Sequence, residues 1–249
     1  MKINYSHSKN LHSVSGPSEA LPVMLKGEAI NSLLDVGCGG GTWLKSALEY
    51  EVGHVVGVDG VIVLEEELHV SGELIKKQNL TQPWDLGKRF DVVLCLEVAE
   101  HLSGEYSEML IESLVKHADV VYFSAACPRQ KGQHHVNCQW PEYWQGLFNE
   151  KGYKCDDTIR WKLWGMSNVE PWYRQNMFVA KLDPELAGTE PRIAHVIHPE
   201  MRHNMESASI RASLREHTLE IQYGSMPMRW YFCAIISAMF SKLKRSIKR

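Results

Sequence analysis

The sequence predicts an α/β protein built on a doubly wound, mostly parallel sheet. Three observations carry that prediction. Several short β-branched runs are apolar at nearly every position, as strands covered by helices on both faces must be. Helical patterns lie between those runs, and strand alternating with helix is the mark of such a sheet. A glycine-rich turn directly follows the first run, at the strand end where these sheets hold ligands.

The elements follow in order. SLLDVG (32–37), HVVGVD (54–59), FDVVLCL (90–96) and DVVYFSA (119–125) read as buried strands. Helices are expected over Thr42 to Glu51, Val61 to Leu68 and Tyr106 to His117. WPEYWQGLFNEKGY (140–153) reads as a further helix, with Pro141 near its start and Gly152 past its end. NMFVAKL (176–182) is a late strand. From Asp183 the pattern weakens into an extended connector with three prolines, and ESASIRASLREHTLEIQ (206–222) looks helical. The expected organisation is one domain over 1–182, with its core at 32–182, and a helical C-terminal extension over 183–249.

Bulk properties narrow the class. With 249 residues and 44% hydrophobic content, the chain can bury one large core. A net charge of -3 does not suit a general polyanion binder, so nucleic acid is not the expected partner. Six irregularly spaced cysteines, none in a CxxC pair, suggest neither a disulfide framework nor a structural zinc. The N-terminal residues MKINYSHSKNLHSVSG lack the apolar region of a signal peptide, and no apolar run reaches membrane-spanning length. A reduced, cytoplasmic location is expected.

The strongest motif is LLDVGCGGGTWL (33–44). A strand ends in Asp35, then Gly37, Gly39 and Gly41 lead into a helix. Glycines there let a ligand approach the backbone. The spacing is not the dinucleotide G-x-G-x-x-G, because Thr42 stands where its third glycine would fall. The second strand ends in Asp59, placed to accept from ribose hydroxyls.

Asp35, the three glycines and Asp59 together resemble the S-adenosylmethionine site of class I methyltransferases. The resemblance runs from about Ser32 to Leu182. It implies a Rossmann-like, seven-stranded sheet whose last strand is antiparallel. It also implies S-adenosyl-L-methionine as donor. Asp35 and the glycines would approach its methionine part, and Asp59 would hold its ribose. Asn79 and Leu80 would meet the adenine, with Asn79 standing where the family often has Asp. FSAACPRQKGQHHVNCQWPEYW (123–144) and WYRQNMFV (172–179) are similar to bacterial methyltransferases linked with surface-glycan gene sets. That narrower likeness implies a saccharide or glycolipid hydroxyl as acceptor, either a small molecule or lipid-linked.

Two segments could carry the chemistry. In LEVAEHL (96–102), a helix starting near Val98 would place Glu97 at the strand end, with Glu100 and His101 on the same face one turn on. GQHHVN (132–137) is a polar loop after the 119–125 strand and holds His134 and His135. Two glutamates and two histidines suit a divalent ion. The E-x-x-E-H pattern with a later histidine resembles small-RNA 2′-O-methyltransferases, and quinone O-methyltransferases carry a similar E-x-x-E-H. That resemblance implies Mg²⁺ or a related metal on Glu97, Glu100, His101 and His135. Other readings stay open. Glu97 contacts the donor or caps the next helix, Glu100 and His101 are a polar helix start, or His101 or His135 is a metal-free general base. RNA ribose and quinone O-methylation remain as alternatives, as does a donor-binding regulatory subunit without turnover. Trp140, Tyr143, Trp144, Trp161, Trp164, Trp172 and Tyr173 supply core packing or an acceptor surface, and Arg129 and Arg174 are candidates for an acceptor's anionic group.

MRWYFCAIISAMFSKLKRSIKR (228–249) has six basic residues and no acid. With 27 basic and 30 acidic residues in the chain, residues 1–227 hold 21 and 30, a net -9. Apolar residues recur at three- and four-residue steps. The segment reads as an interfacial helix on anionic lipid, peripheral on the inner face of the cytoplasmic membrane, or as a helix docked on protein.

Overall fold

The computed structural model describes residues 13–61, 63–202, 227–229, 231–233 and 235–236. The chain divides into two compact units, Met1–Arg202 and His203–Arg249.

The first unit is built on a seven-stranded sheet. In chain order its strands are β1 (Ser32–Val36), β2 (His54–Asp59), β3 (Ile75–Lys77), β4 (Val92–Leu96), β5 (Val120–Ser124), β6 (Tyr153–Asp156) and β7 (Phe178–Leu182). The spatial order is β3-β2-β1-β4-β5-β7-β6. The pairs from β3 through β5 are parallel, and β7 runs antiparallel to both of its neighbours. The doubly wound sheet with an antiparallel last strand is therefore as expected. The chain leaves β1 toward β3, then returns to β4 on the other side of β1. That reversal opens a crevice at the carboxyl ends of β1 and β4.

Side chains of the central strands alternate between two cores. Leu34, Val36, Val93, Cys95, Val121 and Phe123 face one, with Trp144 and Phe148 of α4 (Pro141–Glu150) and Leu110 and Leu114 of α3 (Ser107–His117). Leu33, Val92, Leu94 and Tyr122 face the other. There they meet α1 (Ser15–Met24), α2 (Thr42–Glu49) and α5 (Thr158–Leu163). Both faces are apolar because both are covered. At the opposite end of the strands, Asp91 Oδ2 accepts from Asn31 N, Ser32 N and Ser32 Oγ at 2.8–2.9 Å, fastening β4 to the start of β1.

The structure departs from the sequence expectation in particular places. Among the described residues of 61–68 no α-helix forms; there is only a 3-10 turn at Glu65–Glu67, none of it buried. Three consecutive glutamates give that segment no apolar stripe to lay on the sheet. α1, α5, α6 (Pro171–Asn176) and the edge strands β3 and β6 were not anticipated. All but α1 are six residues or shorter, too short to show a period. The connector after Leu182 packs on the first unit. Gln145 binds Pro191 O and Ile193 N, and Glu190 accepts from Gln145 and Asn149. The helix expected over 206–222 lies outside the described residues.

Phe123 contacts the rings of Trp144, Phe148 and Phe178 with centroids 5.2–5.5 Å apart. Phe123→Ala should destabilise the first unit by about 3–5 kcal/mol, read as a lower denaturation midpoint.

Candidate active site

The cleft is built on the turn after β1. Gly37 sits at φ 77°, and a Cβ there would lie 2.3 Å from Val98 Cγ2. A side chain at this position would meet both backbone strain and the start of the β4 turn. Gly37 N donates to Val58 O at 2.7 Å. Asp59, at the end of β2, accepts from Gly39 N at 2.9 Å and from Val61 N at 2.7 Å. One carboxylate thus fixes both the turn after β1 and the turn after β2. Gly41, at φ 82°, is the N-cap position of α2 and packs on Val70 rather than lining the cleft.

Asp35 lies in the cleft wall, fully buried, and its Oδ2 has no hydrogen-bond partner. Burial, and then the charge of Asp59, push its carboxyl up to about 8. An orphaned carboxyl oxygen in a cleft wall suits a cationic ligand group, which would restore its charged form. The cleft measures about 410 Å³. Its walls include Gly37, Gly39, Asp59, Leu80, Glu97, Glu100, His101 and His135.

Glu97 does not begin a regular helix. It adopts φ 56°, and only a 3-10 turn, Ala99–His101, follows. Its carboxylate is held by two amides. Gln130 Nε2 donates to Oε2 at 2.7 Å, and Asn176 Nδ2 donates to Oε1 at 3.1 Å. Asn176 also donates to Gln130 Oε1 at 2.9 Å, closing the set. Glu97 therefore spends its oxygens on orientation. Burial raises its carboxyl, and the hydrogen bonds from Asn176, Gln130 and Ser124 work against that rise.

Glu100 is wholly buried against Glu97. Burial and the Glu97 charge hold its carboxyl well above the usual range, so it keeps its proton. Neither of its oxygens makes a hydrogen bond of good geometry, although the Glu100 and Ala126 backbone N–H groups and the Glu97 carboxyl act on it. The 132–137 loop comes to it by backbone instead, with Val136 N and Asn137 N donating to Glu100 O at 2.8 and 3.1 Å. That clip brings His135 beside His101, ring centroids 5.1 Å apart.

His135 Nδ1 donates to Gln130 O at 3.0 Å, which leaves Nε2 with its lone pair. His101 Nδ1 lies 3.4 Å from His134 O. Burial lowers both imidazoles; His101, with His135 beside it, is pushed down to about 4. One ligand atom from each of Glu100, His101 and His135 lies within 4.8 Å of the others. Two neutral imidazoles and a buried, unsatisfied carboxyl are a chemically suitable donor set for a divalent ion. Glu97, expected as a fourth ligand, is not in this cluster, because the two amides occupy it.

Other anticipated residues fall elsewhere. Asn79 is exposed and outside the cleft wall; its Oδ1 accepts from Thr81 N and Oγ1 in a local turn. Leu80 beside it is buried and lines the cleft. Of the seven aromatics singled out, Trp172 and Tyr173 reach the wall. Trp144 is core, and Trp140 stacks on His195. Arg174 is buried and bonded to Trp164 O, His198 and Glu200, so it anchors the connector rather than facing an acceptor. Arg129 is exposed. His134 contributes its carbonyl. Gln130, Asn176, Trp43, Val61 and Gly132 are site residues that sequence reasoning passed over.

Fold and cleft together are of the class I methyltransferase type. Residues 11–166 match the family model described as a methyltransferase domain, and the chain belongs to that family. It is an S-adenosylmethionine-dependent methyltransferase. No curated protein matches the sequence. Solved structures share the fold at low identity. The sugar N-methyltransferase KedS8 from Streptoalloteichus is 14% identical, with a TM-score of 0.54 over 71% of this chain and 91% of that one. CalS10, an amino pentose methyltransferase from Micromonospora echinaspora, is 15% identical, with a TM-score of 0.51 over 73% and 99%. DesVI from Streptomyces venezuelae is 16% identical, with a TM-score of 0.50 over 68% and 91%.

Asp35 predicts a pH dependence of stability. The side chain loses its proton near pH 4 in the unfolded chain and near about 8 in the folded one. Between those values the unfolded state binds fewer protons, so stability falls as pH rises from about 4 to about 8. Asp35→Asn should flatten that slope. In the ligand-free protein, its thermal midpoint should match the wild type near pH 4 and exceed it by several degrees above pH 8.

Proposed function

We propose that the protein methylates a hydroxyl of a saccharide or glycolipid, using the Glu100, His101 and His135 cluster on the acceptor side of the cleft. The observation that carries this reading is that the cluster opens into the same cleft as Asp35 and the glycine turn. S-adenosylmethionine supplies a methyl group already activated on a sulfonium. The chain must hold that donor, place the acceptor oxygen in line with it, and take or mask the hydroxyl proton.

Asp35 accepts the donor's ammonium, and its charge returns on binding. Asp59, in the cleft wall at the end of β2, takes the ribose hydroxyls. Leu80 and Val61 form apolar wall for the adenine. Glu97, fixed by Gln130 and Asn176, stands between the donor side and the acceptor side. Glu100, His101 and His135 would hold Mg²⁺ or a related ion, whose Lewis acidity lowers the pKa of a bound hydroxyl. All of this machinery lies within the expected core, residues 32–182.

The saccharide class is supported by the sugar and amino pentose substrates named for KedS8 and CalS10. The choice of oxygen over nitrogen rests on chemistry. A neutral amine needs no base before attack, whereas a hydroxyl needs what the cluster offers. An RNA acceptor is disfavoured by the net -9 of residues 1–227. A quinone hydroxyl would use the same cluster and is separated by the acceptor assay.

Two outcomes are expected. With isotope-labelled donor, the wild type should label saccharide or glycolipid fractions, lose that activity on chelation, and regain it with added Mg²⁺ or Mn²⁺. Full activity after rigorous chelation would leave His135 acting as a base without metal. Gly132→Ala provides the second test, because a Cβ there would lie 2.0 Å from His135 Nε2. The histidine must move, so turnover should drop by about 10²-fold or more with donor affinity unchanged in calorimetry.

A further inference from the structure

We propose that the C-terminal segment from Met228 onward docks the protein on an anionic lipid surface. This does not depend on which acceptor the cleft takes. The described residues between 228 and 236 are helical. Met228, Phe232, Ile235 and Ile236 are 82%, 67%, 60% and 39% exposed. Steps of three and four residues put these side chains on one helical face. Large apolar groups aligned on one face and left in water mark an interaction surface.

The charge pattern names the occupant. The segment holds six basic residues and no acid, five of the six after Ser241. An apolar face followed directly by a block of cations fits acyl chains beneath negative headgroups. A second copy of the segment fits less well, since it offers no acid to pair with the cationic block. Insertion across the bilayer is excluded by length. Only twelve residues lie between Arg229 and Lys242, against the roughly 20 apolar residues a spanning helix needs. Among the described residues no helix is long and apolar enough to cross a membrane.

Such docking would tether the chain at a membrane surface. Surface binding also needs both signals, apolar insertion and charge, because either alone is weak. The two signals are therefore separable by substitution.

The test is flotation of the full chain with phosphatidylcholine vesicles, pure or doped with phosphatidylglycerol. Binding should be at least about tenfold stronger to the doped vesicles and should fall steeply with added salt. Two variants divide the contributions: Phe232→Glu with Ile235→Glu, and Lys242→Glu with Lys244→Glu and Arg245→Glu. Each should lose about tenfold or more in vesicle binding, while donor affinity and thermal midpoint stay at wild-type values. Wild-type binding by both variants would overturn the proposal. So would absence of binding to the doped vesicles, or a dimer in sedimentation that Phe232→Glu disrupts while vesicle binding is nil.

Discussion

Two backbone N–H groups, those of Gly39 and Val61, converge on the Asp59 carboxylate. The geometry of the whole donor side depends on that convergence. It joins the turn after β1 to the turn after β2, so neither loop can shift alone. Gly37 N on Val58 O extends the same coupling into the sheet. The sheet brings the strand ends together, but parallel pairing alone leaves loops beyond those ends undefined. A buried acceptor with two fixed donors defines them. The binding wall is therefore in place before any ligand arrives, which lowers the ordering cost of binding.

At the carboxyl end of β4 the same solution recurs with different atoms. Glu97 is the acceptor, and the donors are side-chain amides from two distant segments, Gln130 and Asn176. Asn176 is also bonded to Gln175, whose Oε1 accepts from His198 N. His198 lies against Arg174, which in turn binds Glu200. A chain of polar contacts thus runs from the cleft to the connector beyond β7. That chain explains why the connector packs on the first unit although it has almost no regular structure. It also gives the buried amides their partners, and gives partners to both terminal nitrogens of the Arg174 guanidinium though not to its Nε.

Legibility in the sequence followed locality. The strand-turn-helix of 33–44 could be read because glycine identity encodes a left-handed turn and the flanking pattern is contiguous. The 140–153 helix could be read because Pro141 and Gly152 punctuate it. LEVAEHL was legible as composition but not as shape. The left-handed Glu97 breaks the helical path, so Glu100 turns wholly inward while His101 keeps part of its surface. No periodic argument anticipates a positive φ at a glutamate. The amide clamp was beyond reach for another reason. Gln130 and Asn176 are 46 residues apart and meet only through the β5 and β7 pairing. Arg174 misled because arginine is mostly a surface residue, and only the folded connector shows its partners.

Two buried carboxyls, Asp35 and Glu100, share the cleft and have oxygens without hydrogen-bond partners. Glu170 and Glu190 also carry a buried carboxyl oxygen without a partner, but only Asp35 and Glu100 among these four line the cleft. Under the proposed function, ligand groups bound in the cleft would meet both. Asp35 is held up by burial and by the Asp59 charge, so an incoming cation relieves both. Glu100 is held up by burial and by the Glu97 charge, so its relief requires either a retained proton or a positive centre shared with the two histidines. The amides on Glu97 favour its charged form and so push the proton toward Glu100. The clamp therefore does more than orient one glutamate. It decides which of the two carboxyls holds the proton, and it places that one beside His101 and His135.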